Sequence, residues 1–138
     1  ERVFSELGRV LAPGGIARLT TFGPESLIEL RQAWASVDSY THVNRFDTQA
    51  RLLQAAVRCG LQLDIQVQIM TRWYPDLRSI SRELKGIGAH NMNRNHPPGL
   101  SGRQAFARAE QAFARQLQPG KGIPVTYEIF CLSLTRSL

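Results

Sequence analysis

The sequence predicts an α/β fold with the element order α-β-α-α-β-α-α-β. Three observations carry that prediction. A helix-like run ends at Ala12-Pro13-Gly14-Gly15 and passes directly into the apolar run Ile16–Phe22, the helix-to-strand reversal that α/β proteins repeat. Leu61, Leu63, Ile65, Val67 and Ile69 alternate with Gln62, Asp64, Gln66 and Gln68, which describes a strand over 61–70 with one wet face, near a sheet edge. Ile129-Phe130-Cys131-Leu132, within a final strand over 123–135, is apolar on both faces although it closes the sequence. It must therefore insert between other strands instead of adding to an edge.

The elements follow in order. Val3, Leu7, Val10 and Leu11 share one face of a first helix, which Pro13 stops. The strand Ile16–Phe22 reads as buried and ends on Thr20, Thr21 and Phe22. In open α/β sheets ligands bind outside the carboxyl ends of strands, so these residues point at a candidate site. Gly23-Pro24 makes a turn, and Glu25–Val37 places Leu27, Leu30, Trp34 and Val37 on one stripe. The segment 38–46 has no periodicity and mixes aromatic, imidazole, amide and guanidinium groups. Asp47 or Thr48 caps the next helix, whose Leu52, Leu53, Ala56 and Val57 face the core and which Gly60 ends. Pro75-Asp76 starts a helix with Leu77, Ile80, Leu84 and Ile87 inward. His90–Leu100, with Pro97-Pro98-Gly99, reads as a loop. Ser101 and Gln104 form a capping box for a helix carrying Phe106, Ala109, Phe113 and Leu117, and Pro119-Gly120-Lys121-Gly122 breaks it. No repeat or linker interrupts the 138 residues, so one domain is expected.

An apolar fraction of 43% and a charged fraction of 20% are those of an ordinary globular protein. No run approaches the ~18 apolar residues of a membrane span, and no signal peptide is evident. Cys59 and Cys131 lie far apart in apolar contexts and read as free buried thiols, which fits a reducing cytoplasm. His42, His90 and His96 have no metal-type spacing, so no zinc site is expected. Glu1 opens mid-helix without an initiator Met, as a fragment of a longer chain does. The net charge of +6 resides entirely in the second half: residues 1–71 balance seven arginines with seven acids, whereas residues 72–138 set ten basic residues against four acidic ones. Two readings are open, an anionic partner docking on that half or a solvated basic face.

The turn Leu11-Ala12-Pro13-Gly14-Gly15 and its strand resemble the join before the fifth strand of class I S-adenosylmethionine-dependent methyltransferases. Three further stretches, Ser26-Leu27-Ile28-Glu29-Leu30 with Ala33-Trp34, His42-Val43-Asn44-Arg45-Phe46, and Leu84-Lys85-Gly86-Ile87-Gly88-Ala89, look like the malonyl-acyl-carrier-protein O-methyltransferases of biotin synthesis. The resemblance implies the C-terminal half of a Rossmann-like sheet, with strands 5, 7 and 6 and strand 7 antiparallel between the others. It also implies methyl transfer from S-adenosylmethionine to the free carboxylate of a malonyl thioester, which lets fatty-acid enzymes elongate the disguised acid toward pimelate. The family's Gly-rich loop and acidic residue, after its first two strands, have no counterpart here. Gly86-x-Gly88 falls late in a helix. No cofactor-binding residue is assigned, and the isolated chain is expected to bind the cofactor negligibly and to be inactive.

Methyl transfer to an already ionised carboxylate depends on orientation and exclusion of water more than on acid–base chemistry, so no general acid or base is assigned. Arg45 can pair bidentately with a carboxylate, and Asn44 and His42 can donate beside it; with Thr21 and Phe22 they are the substrate-binding candidates. The alternative for Arg45 is a structural pairing with Asp38 or Asp47, and Trp34 reads as core more than as a wall of the site. Arg78, Arg82 and Lys85 recur on the face opposite Leu77, Ile80, Leu84 and Ile87, a basic ridge suited to an acidic acyl carrier protein, with Arg72, Arg94 and Arg103 as possible helpers. Lys85 could instead reach the substrate.

Two other functions compete. Another small-molecule methyltransferase of the same fold would differ in its acceptor. A basic module for nucleic acid or acidic protein is disfavoured, because aromatics do not interleave with the arginines and no recognition module appears. Strand 16–22 should pair with the final strand on one side and leave its other edge open, so self-association through that edge is expected of the isolated chain.

Overall fold

Pro13 closes helix α1 (Arg2–Val10), and Gly14, at φ +74, reverses the chain into strand β1 (Ile16–Phe22). The far end of the molecule clasps this turn. The Gly14 amide donates to the Arg136 carbonyl at 2.9 Å, the Arg136 amide to Gly15 at 3.0 Å, and the Arg136 guanidinium to the Leu11 carbonyl at 2.6 Å. The remaining elements are α2 (Ile28–Ala35), α3 (Gln49–Arg58), β2 (Leu61–Tyr74), α4 (Leu77–Gly86), α5 (Ser101–Ala114) and β3 (Ile123–Arg136), so the expected order holds. The computed structural model describes residues 2–86 and 101–137, with the Ser101 side chain left undescribed. The expected 90–100 loop, Ile87, Gly88, His90, Arg94, His96 and the capping contact of Ser101 lie outside that description.

The three strands form one sheet in the order β1-β3-β2. β3 is central, as its two-sided apolar character required, and β1 runs antiparallel to it with Leu19 opposite Leu132 and Phe22 opposite Ile129. Among the described residues no strand pairs with the outer side of β1. No described helix is long and apolar enough to cross a membrane.

The chain divides into two compact units, with β2 and β3 contributing residues to both. The first comprises Glu1–Ser26, Phe46–Met70 and Glu128–Leu138. Its core joins Phe4, Ala55, Ala56, Leu61, Phe130, Leu132 and Leu134, with Leu7, Leu19, Leu52 and Cys59 packed around them. The helical stripes are narrower than their sequence periodicity predicts. Phe4 is the buried residue of α1 whereas Val3 and Val10 are exposed, and α3 buries Ala55 and Ala56 while Leu53 and Val57 face outward. Small residues at the contact let a helix approach closely, and only the innermost strip is then covered. The Thr48 hydroxyl caps α3 by accepting the Arg51 amide at 3.3 Å.

Two expectations about strands need correction. β1 is not buried: Ile16, Arg18 and Thr20 are exposed and only the alternate residues are partly covered. The apolar face of β2 is covered only at its start, where Leu61 is buried and Leu63 and Ile65 are partly so; Val67, Ile69 and Met70 are exposed. β2 also runs four residues past Met70, because Thr71-Arg72-Trp73-Tyr74 suits a pleated strand until Pro75 removes the next amide.

The second unit comprises Leu27–Arg45 and Thr71–Tyr127. Its buried residues are Leu27, Leu30 and Ala33, then Leu77, Ile80 and Leu84 of α4, Ala105, Ala109 and Phe113 of α5, and Ile123, Val125 and Tyr127 of β3. α5 packs on both α2 and α4. α2 begins at Ile28, three residues later than its stripe predicts, because Leu27 is held at φ 59 and its amide donates to the Thr126 carbonyl at 2.7 Å. The Glu29 carboxylate accepts the Thr126 amide at 2.9 Å and fastens the first turn of α2 to β3.

Candidate functional site

Between α2 and α3 the aperiodic segment forms no helix or strand, yet part of it is rigidly held. Asp38 accepts the Tyr40 amide at 2.9 Å, closing a short turn, and lies 2.8 Å from the His42 Nε2 through the same oxygen. The His42 ring stacks on Trp34, with centroids 3.8 Å apart and planes 13° from parallel. Only 14% of the His42 side chain is exposed. The imidazole is thus committed on one face and one nitrogen to its own segment, and acts as a brace more than as a free donor.

Asn44 and Arg45 follow this brace and are exposed. The alternative pairings of Arg45 do not form. Asp38 takes His42, Asp47 takes Arg51 at 3.3 Å, and Arg45 makes no ion pair with any described residue. The exposed Arg45 guanidinium is therefore available to a carboxylate.

Trp34 corrects its expected place in the core. It is half-buried between His42 and Phe106, whose ring meets it edge-on at 6.1 Å and 63°. Phe106 is half-buried too, and carries the Arg78 guanidinium over its ring at 5.8 Å. The apolar stripes of α2 and α5 located both aromatics in sequence, but periodicity does not say which member of a stripe stands at its border.

The basic ridge of α4 forms as predicted on the face opposite Leu77, Ile80 and Leu84. Arg78 is drawn toward Glu110 at 3.5 Å, whereas Arg82 and Lys85 are exposed and make no ion pair with any described residue. Arg72 is not part of the ridge, since it pairs with Glu83 at 3.0 Å and lies over the Tyr74 ring. Close to that pair, sequence reasoning missed a buried contact between the Tyr74 and Tyr127 hydroxyls at 2.9 Å. Burial, more than the bond to Tyr127 or the nearby Glu83, pushes the Tyr74 phenol above its ordinary range, and burial raises Tyr127 as well. Both phenols stay neutral and serve structure.

Thr21 and Phe22 belong to the first unit. Phe22 packs on Phe46 at 5.5 Å and 59°, and Thr21 lines a groove of about 740 Å3 with Val3, Leu19, Arg51, Leu52 and Arg58. The groove follows β1 on its α1 and α3 side. On the other face, Arg18, Thr20, Asp64, Gln66, Cys131 and Ser133 line a polar depression of about 670 Å3.

Gly86 ends a helix instead of following a strand, and the space beside Gly23, which does follow β1, is filled by the Glu128 carboxylate and the Phe130 ring.

No family model matches the chain. Curated relatives do. It is 41% identical over 138 residues to a biotin biosynthesis bifunctional protein BioHC of Teredinibacter turnerae, covering 99% of this chain and 24% of that protein. It is 38% identical over 126 residues to a malonyl-[acyl-carrier protein] O-methyltransferase of Hahella chejuensis, covering 91% of this chain and 45% of the relative. For the protein of that name in Methylococcus capsulatus the identity is 36% over 130 residues, covering 94% and 47%. The chain spans less than half the length of these relatives. Over nearly its whole length, then, this chain is a homologue of one segment of the proteins named malonyl-[acyl-carrier protein] O-methyltransferase and BioHC.

Proposed function

We propose that these 138 residues are the C-terminal half, as a single partial domain, of a malonyl-acyl-carrier-protein O-methyltransferase of biotin synthesis. The complete protein would esterify the free carboxylate of the malonyl group with S-adenosylmethionine as methyl donor, in the cytoplasm. Homology to proteins of that name supports the activity. The sheet order supports the placement: a terminal strand lies between β1 and β2 and antiparallel to β1, as strand 7 lies between strands 5 and 6 of a class I methyltransferase.

The observation that carries a role for this half is Arg45, exposed and without an ion pair among the described residues, on a segment braced by His42, Asp38 and Trp34. A guanidinium held on a fixed loop can orient a malonyl carboxylate without itself changing protonation. Asn44 donates beside it and His42 holds the loop. In the first unit, taken by itself, Thr21 and Phe22 end β1 on the side where such sheets bind ligands. The methyl donor belongs to residues outside this chain. Arg82 and Lys85, with Arg78, form the dock for an acidic acyl carrier protein.

The test uses the complete protein containing this chain. It should methylate malonyl-carrier protein, and Arg45→Ala should lower kcat/KM by about a hundredfold, the ~3 kcal/mol of a charge-assisted pair. Titration of the isolated chain with S-adenosylmethionine should show no binding. Full activity of the Arg45→Ala enzyme removes this assignment, and micromolar cofactor binding by the isolated chain overturns the division of labour.

A further inference from the structure

A shallow pocket of about 480 Å3 opens on the second unit, lined by Arg78, Gly102, Arg103 and Phe106. Its chemistry is specific. Two arginines on different helices line it, one from α4 and one from the first turn of α5. Arg78 is held in place, with its charge over the Phe106 ring at 5.8 Å and its Nε 3.5 Å from Glu110. Arg103 is exposed and makes no ion pair with any described residue. Gly102 leaves room beside them, since a Cβ built on it meets nothing within 4 Å. Paired guanidiniums match the oxygens of a phosphate better than a single carboxylate does, because each offers a planar fork of donors.

The pocket also leads somewhere. Phe106, its aromatic wall, meets Trp34 edge-on, and Trp34 stacks on His42, two residues before Asn44. An unbroken row of rings therefore joins the two arginines to the segment that carries Arg45. The matching ligand has a phosphate at one end, a slender arm that can lie along aromatic faces, and a carboxylate at the other end. A malonyl thioester on a phosphorylated pantetheine arm has that shape.

We propose that the Arg78–Arg103–Phe106 pocket binds the phosphate of the substrate's pantetheine arm, and that Phe106 and Trp34 form the wall along which the arm lies. The proposal rests on the malonyl-thioester reading above and adds to it a phosphate site beside the Arg82 and Lys85 ridge, sharing Arg78 with it, while Arg82 and Lys85 meet the carrier protein's acidic surface.

The experiment compares 4′-phosphopantetheine with pantetheine, neither carrying an acyl group, as ligands of the complete protein by calorimetry. The phosphorylated arm should bind at least about tenfold more tightly, a difference of ~1.4 kcal/mol. Arg103→Gln and Arg78→Gln should each bring that ratio close to one, while Lys121→Gln, a charge loss outside the pocket, should preserve it. Equal binding of the two arms by the unaltered protein overturns the proposal, as does a ratio that survives Arg103→Gln. Methyl transfer is measured separately on the malonyl thioesters of both arms. If neither is methylated the functional reading falls, and the phosphate site is still decided by the binding ratio.

Discussion

The Glu128 carboxylate accepts the backbone amide of Glu25 at 2.8 Å, a bond between residues 103 apart in sequence. Glu128 is 8% exposed. Its carbonyl takes the Gly23 amide and the Ser26 hydroxyl, each at 2.8 Å, and its own amide donates to the Ser26 oxygen at 2.9 Å. One acidic residue of the central strand thus satisfies the turn that follows β1, where no helix cap is available. Gly23 is required by the same contact, because a Cβ there would fall 2.3 Å from Glu128 Oε2 and 2.6 Å from the Phe130 ring. Glu128→Ala should destabilise the protein by about 1–3 kcal/mol through the orphaned Glu25 amide, the one bond of this set that the Glu128 side chain makes. Gly23→Ala should cost about 1–3 kcal/mol by overpacking. Urea denaturation measures both, and loss of less than about 0.5 kcal/mol in either variant contradicts the account.

The stack of His42 on Trp34 has an optical consequence. In a Trp73→Phe background Trp34 is the sole indole of this sequence. Its emission should shift when His42→Ala removes the imidazole from its face, and Asp38→Ala, which removes the carboxylate 2.8 Å from Nε2, should shift it in the same direction by loosening the stack. An emission spectrum unchanged by His42→Ala would show that the stack does not persist in solution.

Alkaline pH should act on the Tyr74–Tyr127 pair. Both phenols are raised above the ordinary 10.0 in the folded protein, by burial first. The native state holds these protons more tightly than the unfolded chain, so their stabilisation is complete below about pH 10 and is lost as the pH rises above it. In a Tyr40→Phe background the two remaining tyrosines should ionise together with unfolding. Tyrosinate absorbance followed alongside circular dichroism checks this. Independent early ionisation of two tyrosines would contradict it.

The basic ridge can be tested apart from the phosphate pocket. Arg82→Glu with Lys85→Glu should raise KM for malonyl-carrier protein in the complete enzyme by about tenfold, and raise KM for malonyl-phosphopantetheine little, because only the carrier presents an acidic protein surface. Equal losses on both substrates would place Lys85 at the substrate instead.

β1 leaves one edge without a strand partner among the described residues, and Ile16 is 58% exposed on it. The isolated chain should self-associate in a concentration-dependent way, and Ile16→Lys should shift it toward monomer, as charges on edge strands do. Sedimentation across a range of concentrations decides the matter; a monomer throughout would remove the edge as an interface.

The amino-acid sequence alone determined the order of elements, the Pro13-Gly14 reversal, a cap at Asp47 or Thr48 and the central place of β3, because each depends on local backbone chemistry or on a two-sided apolar run. It also placed Arg78, Arg82 and Lys85 on one helix face, since that is a matter of angular spacing. Tertiary structure alone decided which ions are satisfied. Asp38 chose His42 and left Arg45 open, Arg72 left the ridge for Glu83, and Glu128 replaced a missing helix cap from the far end of the chain. It also decided that Trp34 and Phe106 stand at the border of their stripes, with Arg78 and Arg103 beside them. Periodicity reports the direction in which a side chain leaves its own helix. Which partner it meets is set by segments distant in sequence, and that pairing is where the candidate site is made.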